Sequence, residues 1–162
     1  MPSPLEVTTP SERTICVTRT FDAPPELVFE CHTKPEYVKK WLLGPPGWSM
    51  PTCEIDLRAG GSYRYVWRND GDGTEFGVQG VFREIGAPRR LVTAERMDGV
   101  PGEALCTTTF EPADRKTRFT LTMEFESQAL RDGALESGMA DGMAMSYDRL
   151  QQLANAEASS AR

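Results

Sequence analysis

The sequence has only one histidine, His32, among its 162 residues. A catalytic pair of histidine with serine or cysteine would have to use this residue, and no GxSxG or other nucleophile motif accompanies it. Its position at the end of a predicted short helix favours contact with exposed helix carbonyls and the helix dipole instead. We therefore predict no catalytic residue.

Metal and nucleotide motifs are absent as well. The four cysteines are scattered without a CxxC pair, which favours reduced thiols that act as small apolar side chains. The segment Asn69–Gly73 fails the EF-hand register, and its glycines miss the GxGxxG spacing, so a hairpin turn is the better interpretation. We expect neither a metal nor a cofactor.

Long apolar runs and basic clusters are also missing. The longest uncharged stretch, Trp41–Cys53, contains three prolines, and the N-terminus has no basic region followed by an apolar one. The net charge of −6 is shared evenly between the two halves of the chain, so no basic patch is available for a phosphate backbone or an anionic membrane. The sequence predicts a soluble cytoplasmic protein with no nucleic-acid partner and no membrane partner.

Apolar residues make up 39% of the chain and follow strand and helix periods. Thr14–Phe21 is predicted as a strand, and two prolines then open a short helix over Pro25–His32. Thr33 and Glu36 have the spacing of a capping box, which predicts a second short helix. Some six strands follow up to residue 126, among them Cys53–Arg58 and Arg90–Met97, and Ser137–Ala154 has the apolar spacing of a long helix.

This order of elements predicts an α+β fold in which a curved antiparallel sheet wraps around the long C-terminal helix. The dry face of the sheet would be covered by that helix and the short helical pair, with a space between them as the natural binding site. We expect one domain over residues 13–154, flanked by flexible tails at residues 1–12 and 155–162.

Two charged residues share strand faces with apolar neighbours. Arg19 has the same parity as Val17 and Phe21, and Glu95 has the same parity as Leu91. For both we favour a structural ion pair over ligand contact.

Aromatic and methionine side chains provide candidates for the lining of a pocket. Tyr63, Tyr65 and Trp67 alternate along one strand face, a pattern that suits core packing and also the lining of a pocket for a flat apolar ligand. For Gly142, close packing of the helix is slightly favoured over room for a ligand. The candidate pocket residues are Trp41, Trp48, Tyr63, Tyr65, Trp67, Phe76, Glu95, Met123, Phe125, Met139, Gly142 and Met143.

Four segments together resemble the activator of heat-shock protein 90 ATPase homologue family, a branch of the SRPBCC or START-like superfamily. They are residues 19–29, Pro35-Glu36 with Lys40-Trp41, residues 56–61, and residues 138–142 with 146–150. The resemblance implies a helix-grip fold with a hydrophobic cavity between sheet and helix. It implies no shared reaction, because members of the superfamily bind lipids or hormones, cyclise polyketides or assist the chaperone.

We therefore favour a protein that binds a small hydrophobic molecule, of aromatic or lipid-like character, over an enzyme. One alternative is a polyketide cyclase or aromatase-like enzyme with Glu95 or Arg19 as its acid or base. The other is an interaction module resembling the chaperone ATPase activator, with a chaperone as partner.

Overall fold

Strand β2 shows how the sequence builds the sheet. Over Thr14–Phe21 every second residue is buried, because the side chains of a strand alternate between its two faces. The structure, a computed structural model, describes residues 4–160. Within that range the strands are β1 (Glu6–Ser11), β2 (Thr14–Phe21), β3 (Trp48–Ile55), β4 (Ser62–Asn69), β5 (Glu75–Gly86), β6 (Arg90–Met97), β7 (Ala104–Ala113) and β8 (Lys116–Glu124).

These strands form one curved antiparallel sheet in the order β1-β2-β8-β7-β6-β5-β4-β3. The helices are α1 (Pro25–Thr33), α2 (Pro35–Trp41), α3 (Gln128–Glu136) and α4 (Met139–Ser160). Because β2 and β3 stand near opposite edges of the sheet, the chain between them crosses the sheet as α1 and α2. The predicted α+β architecture, with a curved sheet and a long C-terminal helix, is confirmed.

The N-terminal segment differs from the predicted flexible tail. Glu6–Ser11 forms β1, which pairs with β2 in a register that sets Val7 opposite Val17. Its side chains are almost all exposed, so β1 has no apolar alternation for a sequence pattern to detect. The backbone hydrogen bonds of the β2 edge are what position it.

The second short helix begins without the predicted capping box. Its N-cap is Lys34, and no side chain caps it. The Thr33 hydroxyl instead donates to the Phe29 carbonyl at 3.0 Å, inside the preceding helix. Pro35, which needs no partner for its nitrogen, occupies the first helical position.

The C-terminal region holds two helices where the sequence predicted one. Ser127 caps α3 by accepting from the Leu130 N–H at 3.2 Å, and Gly138 then adopts a left-handed φ of +84° that separates α3 from α4. Helix α4 continues to Ser160, past the predicted end at Ala154, and residues 161–162 of the predicted tail lie outside the described range.

Strand β3 also begins earlier than predicted, at Trp48 rather than Cys53. Pro51 obscures it in the sequence, since proline usually interrupts a strand. The strand tolerates this proline because it lies at the sheet edge, where the register shifts between Ser49 and Thr52.

Candidate functional site

The concave face of the sheet is defined by the strand register. Residues directly opposite each other on neighbouring strands share a face, and one such row crosses five strands. It runs Ala104, Glu95, Gly80, Tyr63 and Ile55, from β7 to β3. The register therefore places Glu95 of β6 on the same face as Tyr63 of β4, two strands away. This is the inward orientation that the sequence predicted for Glu95.

Tyr63 and Glu95 meet across Gly80. The Tyr63 hydroxyl donates to Glu95 Oε2 at 2.5 Å, although strand β5 lies between their two strands. A side chain at position 80 would overlap the Tyr63 ring, so the absence of a Cβ there lets the ring lie across β5. Gly80 is thus the residue that makes the contact geometrically possible.

Burial is the main influence on the pKa values of Tyr63 and Glu95. Burial raises the pKa of the Glu95 carboxyl, and the hydrogen bond from Tyr63 partly offsets that rise. Burial, followed by the Glu95 charge, raises the pKa of Tyr63. Burial also raises the pKa of Tyr65, which lies one row further along the same face. Glu95 and Tyr65 nevertheless both keep part of their surface accessible.

A ladder of aromatic rings runs along the concave face of β4. Each ring centroid lies 5.1 to 6.0 Å from the next, within the range of favourable aromatic contacts. The members of the ladder are Trp48, Phe76, Trp67, Tyr65 and Tyr63. The Trp67 indole N–H donates to the Leu42 carbonyl at 2.7 Å, which ties the ladder to the end of α2. Five candidate pocket residues therefore come together on one surface.

Trp41 lies apart from the ladder, in a second aromatic cluster. Its side chain is fully buried, its indole N–H donates to the Cys31 carbonyl at 2.8 Å, and its ring packs on Tyr147. His32 lies in the same cluster, stacked on Phe119. The structure thus places this candidate in the core beneath α1 and α4.

His32 makes the carbonyl contact that its position predicted. Its Nδ1 lies 2.8 Å from the Val28 carbonyl oxygen, and its Nε2 is buried with no hydrogen-bond partner in the described part of the chain. Burial lowers the pKa of the ring to about 4, so the imidazole is neutral near pH 7. A charged interaction with the helix dipole, the other half of that expectation, does not occur.

The helical side of the site comes from α4. Met139 and Met143 are half-buried and pack against the hydrophobic core, as do Met123 of β8 and Phe125 just after it. Gly142 points elsewhere: a Cβ there would lie 3.7 Å from Pro45 and 3.9 Å from Gly44. The structure therefore sets Gly142 against the loop after α2 rather than against the sheet, with room for a Cβ at ordinary contact distance.

Arg19 forms the kind of ion pair that its parity predicted. Its guanidinium side chain is 1% exposed, and Nη1 lies 2.7 Å from Asp148 Oδ1 on α4. Nε and Nη2 are buried with no hydrogen-bond partner among residues 4–160. The ring of Phe21 lies 5.1 Å from the guanidinium carbon.

One surface depression reaches the concave face from outside. It has a volume of about 360 Å³, is open to solvent, and lies where β3 and β4 form the sheet edge. Its lining residues are Glu54, Ile55, Asp56, Ser62, Tyr63 and Arg64. Tyr63 therefore borders both the depression and the aromatic ladder.

The architecture and sequence together match a known family. The family model described as "Activator of Hsp90 ATPase homolog 1-like protein" matches residues 22–155, from the start of α1 almost to the end of α4. The chain belongs to this family. The resemblance found in the sequence motifs is thereby confirmed.

Solved structures similar to this family member cover almost its whole length. A crystal structure of a protein from Rhodobacter sphaeroides has a TM-score of 0.89 at 27% identity, covering 94% of this chain and 99% of the other. One from Nitrosomonas europaea has a TM-score of 0.82 at 27% identity, covering 93% and 99%. An AHSA1-like protein from Aeromonas hydrophila, at 17% identity, shares the fold with a TM-score of 0.66 over 88% and 94% of the two chains. No curated protein matches the chain.

Two features are absent from the described part of this member of the activator-homologue family. The described residues contain no group of three or more histidine, cysteine or acidic side chains that could hold a metal ion. Between residues 4 and 160, no helix is long and apolar enough to cross a membrane.

Sequence reasoning missed two residues of the site in this family member. Gly80 is one, although an isolated glycine inside a strand pattern is itself a sign of close approach by another group. Cys106 is the other; it stands opposite Thr93 on the concave face, and burial followed by the Glu95 charge raises its pKa well above the usual value. Parity along β7 could have placed Cys106 on the inner face, but its proximity to Glu95 follows only from strand order.

Proposed function

We propose that this protein binds a small, largely apolar molecule between the concave face of the sheet and the inner face of α4, and that it does so as a carrier in the cytoplasm. The aromatic ladder would contact a flat ligand from the sheet side. Met139 and Met143 would contact it from the helix side. Aromatic rings and flexible thioethers are the side chains best suited to an apolar guest of this shape.

The observation that carries the proposal is the combined depth and accessibility of Glu95 and Tyr65. Burial raises the pKa of both groups, as expected for side chains deep in the protein. Both residues still keep part of their surface accessible. Groups that are surrounded by protein and remain accessible are those that line a partly enclosed space, which is the usual form of a ligand site.

Charge and cysteine chemistry support the choice of partner and compartment. The net charge of −6 opposes binding to phosphate backbones or anionic membranes. All four cysteines are free, which is typical of proteins in reducing compartments.

The test is a titration with Nile red, a neutral apolar dye, read by its emission. We expect saturable binding at one site per chain. Met143→Trp should abolish it by filling the space beneath α4, because Met143 packs against the core. Met145→Trp is the matched control, since Met145 lies on the same helix but is 42% exposed.

Thermal melting and far-UV circular dichroism would confirm that both variants are folded. Equal dye binding by the two variants, or no binding by the wild-type protein, would contradict the proposal. Native mass spectrometry of freshly purified protein would detect any molecule that copurifies with the chain.

A further inference from the structure

The carboxyl of Glu95 uses only part of its capacity for hydrogen bonds. A carboxylate has two oxygens, each able to accept more than one hydrogen bond. Among the described residues, the Tyr63 hydroxyl is the only hydrogen-bond partner of this carboxyl, and it bonds to Oε2. The other oxygen, Oε1, is not among the buried polar atoms that lack a partner, so it remains accessible.

The Tyr63–Glu95 contact is short and runs from the hydroxyl to the carboxyl. At 2.5 Å it has the distance of a charge-assisted O–H···O⁻ bond, which is shorter than a hydrogen bond between neutral groups. By donating its own proton to Oε2, Tyr63 favours the carboxylate form of Glu95, whereas burial acts in the opposite direction. The free oxygen of this carboxylate can accept hydrogen bonds but cannot donate them.

The Tyr63 ring, which carries the hydroxyl bound to this carboxyl, lies among other aromatic rings. The Tyr63 ring packs on Tyr65 at 5.1 Å and on Phe82 at 5.3 Å between centroids. In such surroundings an unpaired acceptor strongly favours a guest that supplies the missing donor. Gly80 keeps the position over β5 clear so that the pair stays in place.

We propose that Glu95 and Tyr63 form a polar recognition site within this space, and that the ligand is a flat apolar molecule with a hydrogen-bond donor such as a phenolic hydroxyl. This inference rests on the proposed function and adds the chemical class of the ligand. Glu95 accepts the donor, Tyr63 fixes the carboxylate, and the aromatic ladder contacts the ring of the guest.

Arg19 offers the opposite chemistry on the same sheet. Its buried Nε and Nη2 lack hydrogen-bond partners in the described residues and would suit a carboxylate. Its guanidinium is already paired with Asp148, however, and lies over Phe21 rather than along the aromatic ladder. A carboxylate ligand is therefore the alternative that the experiment must separate.

The experiment compares three probes that share a naphthalene ring and differ only in the group at one ring position. They are naphthol, its methyl ether and naphthoate. Affinity is measured by calorimetry on the full chain. A hydrogen bond to a charged acceptor corresponds to roughly tenfold or more in affinity, so naphthol should bind about tenfold more tightly than the ether. Naphthoate should bind more weakly than the ether because its charge is repelled by Glu95.

Two variants assign the preference to the proposed site. Tyr63→Phe with Glu95→Leu replaces both polar partners by apolar groups, and the ratio of naphthol to ether affinity should fall to about one. Glu95→Gln keeps the shape of the side chain and should give an intermediate ratio of naphthol to ether affinity. It replaces the double variant if that variant fails to fold. Glu111→Leu, an exposed position on the opposite sheet face, is the matched control and should keep the full ratio.

Each outcome has one meaning. Naphthol and ether binding equally to the wild-type protein, or a ratio unchanged in the Glu95 variants, would overturn the recognition site while leaving apolar binding intact. Tightest binding of naphthoate would overturn it in favour of Arg19. Failure of all three probes to bind would overturn the proposed function itself.

Discussion

Gly80→Ala tests the geometry on which the candidate site depends. The new methyl group would overlap the Tyr63 ring, which lies over this position and is held by its hydrogen bond to Glu95. The ring cannot move freely, because it is buried and packs on Tyr65 and Phe82. The substitution should therefore displace the ring and break the contact with Glu95.

The expected cost follows from overpacking. Adding a methyl group to a filled interior destabilises a protein by about 1 to 3 kcal/mol. In a chain of this size, each kcal/mol lowers the melting temperature by about 2 to 4 °C. Gly86→Ala is the matched control on the same strand, because a Cβ there would lie 3.7 Å from the nearest atom, an ordinary contact.

The assay is urea denaturation of a double-mutant cycle with Tyr63→Val, which removes the ring. In that background Gly80→Ala should be neutral or stabilising by a few tenths of a kcal/mol, since alanine restricts the unfolded chain. The coupling energy should then be at least about 1 kcal/mol. An equal cost of Gly80→Ala in both backgrounds would refute the reasoning, because the ring would not be what the methyl group meets.

Three further predictions concern the core and α4. The His32 ring has a pKa of 6.5 in the unfolded chain and about 4 in the folded protein, so the unfolded chain takes up the proton first as the pH falls. The contribution of His32 to the free energy of unfolding should therefore be constant above pH 6.5 and fall by about 3 kcal/mol as the pH drops to 4. The difference in unfolding free energy between wild type and His32→Gln, followed across this range, isolates the effect; a constant difference would contradict it. Gly142→Leu should lower the free energy of unfolding in urea by about 1 to 3 kcal/mol, because the larger side chain would press against Pro45. Nile red binding should stay intact. Loss of dye binding without loss of stability would contradict this prediction. Asp148→Asn should lower the free energy of unfolding by about 1 kcal/mol or more, because it leaves the buried Arg19 charge unpaired. Adding Arg19→Met should recover most of this stability in thermal melts. No recovery would mean that the ion pair is unimportant.

Much of the fold could be predicted because it depends on local patterns. The bounds of β2 and β6 agree with the predicted strands, since alternation and the neighbouring turns mark them in the sequence. Strand β1 could not be predicted, because its exposed side chains have no pattern and its position depends on the edge of β2. Helix α3 was not predicted, whereas the predicted start of the long helix at Ser137 lies next to the left-handed Gly138 that separates the two helices.

The site was predictable only in part. Parity placed Glu95 and Tyr63 on the inner face, but their contact depends on the order of three strands and on the space over Gly80, which no local pattern contains. Trp41 resembles the ladder residues in type and differs from them only in tertiary position. Gly142 was ambiguous because a glycine in a helix does not show which element it packs against.

The most direct test of the central claim is a titration with Nile red followed by NMR of isotope-labelled methionine methyl groups. If the dye lies between the sheet and α4, the signals of Met123, Met139 and Met143 should shift together and saturate at one dye per chain. Met145 should stay unchanged because it lies on the exposed side of the same helix. Shifts confined to Met145, or saturable binding that moves none of the three inner methionines, would contradict a binding space beneath α4.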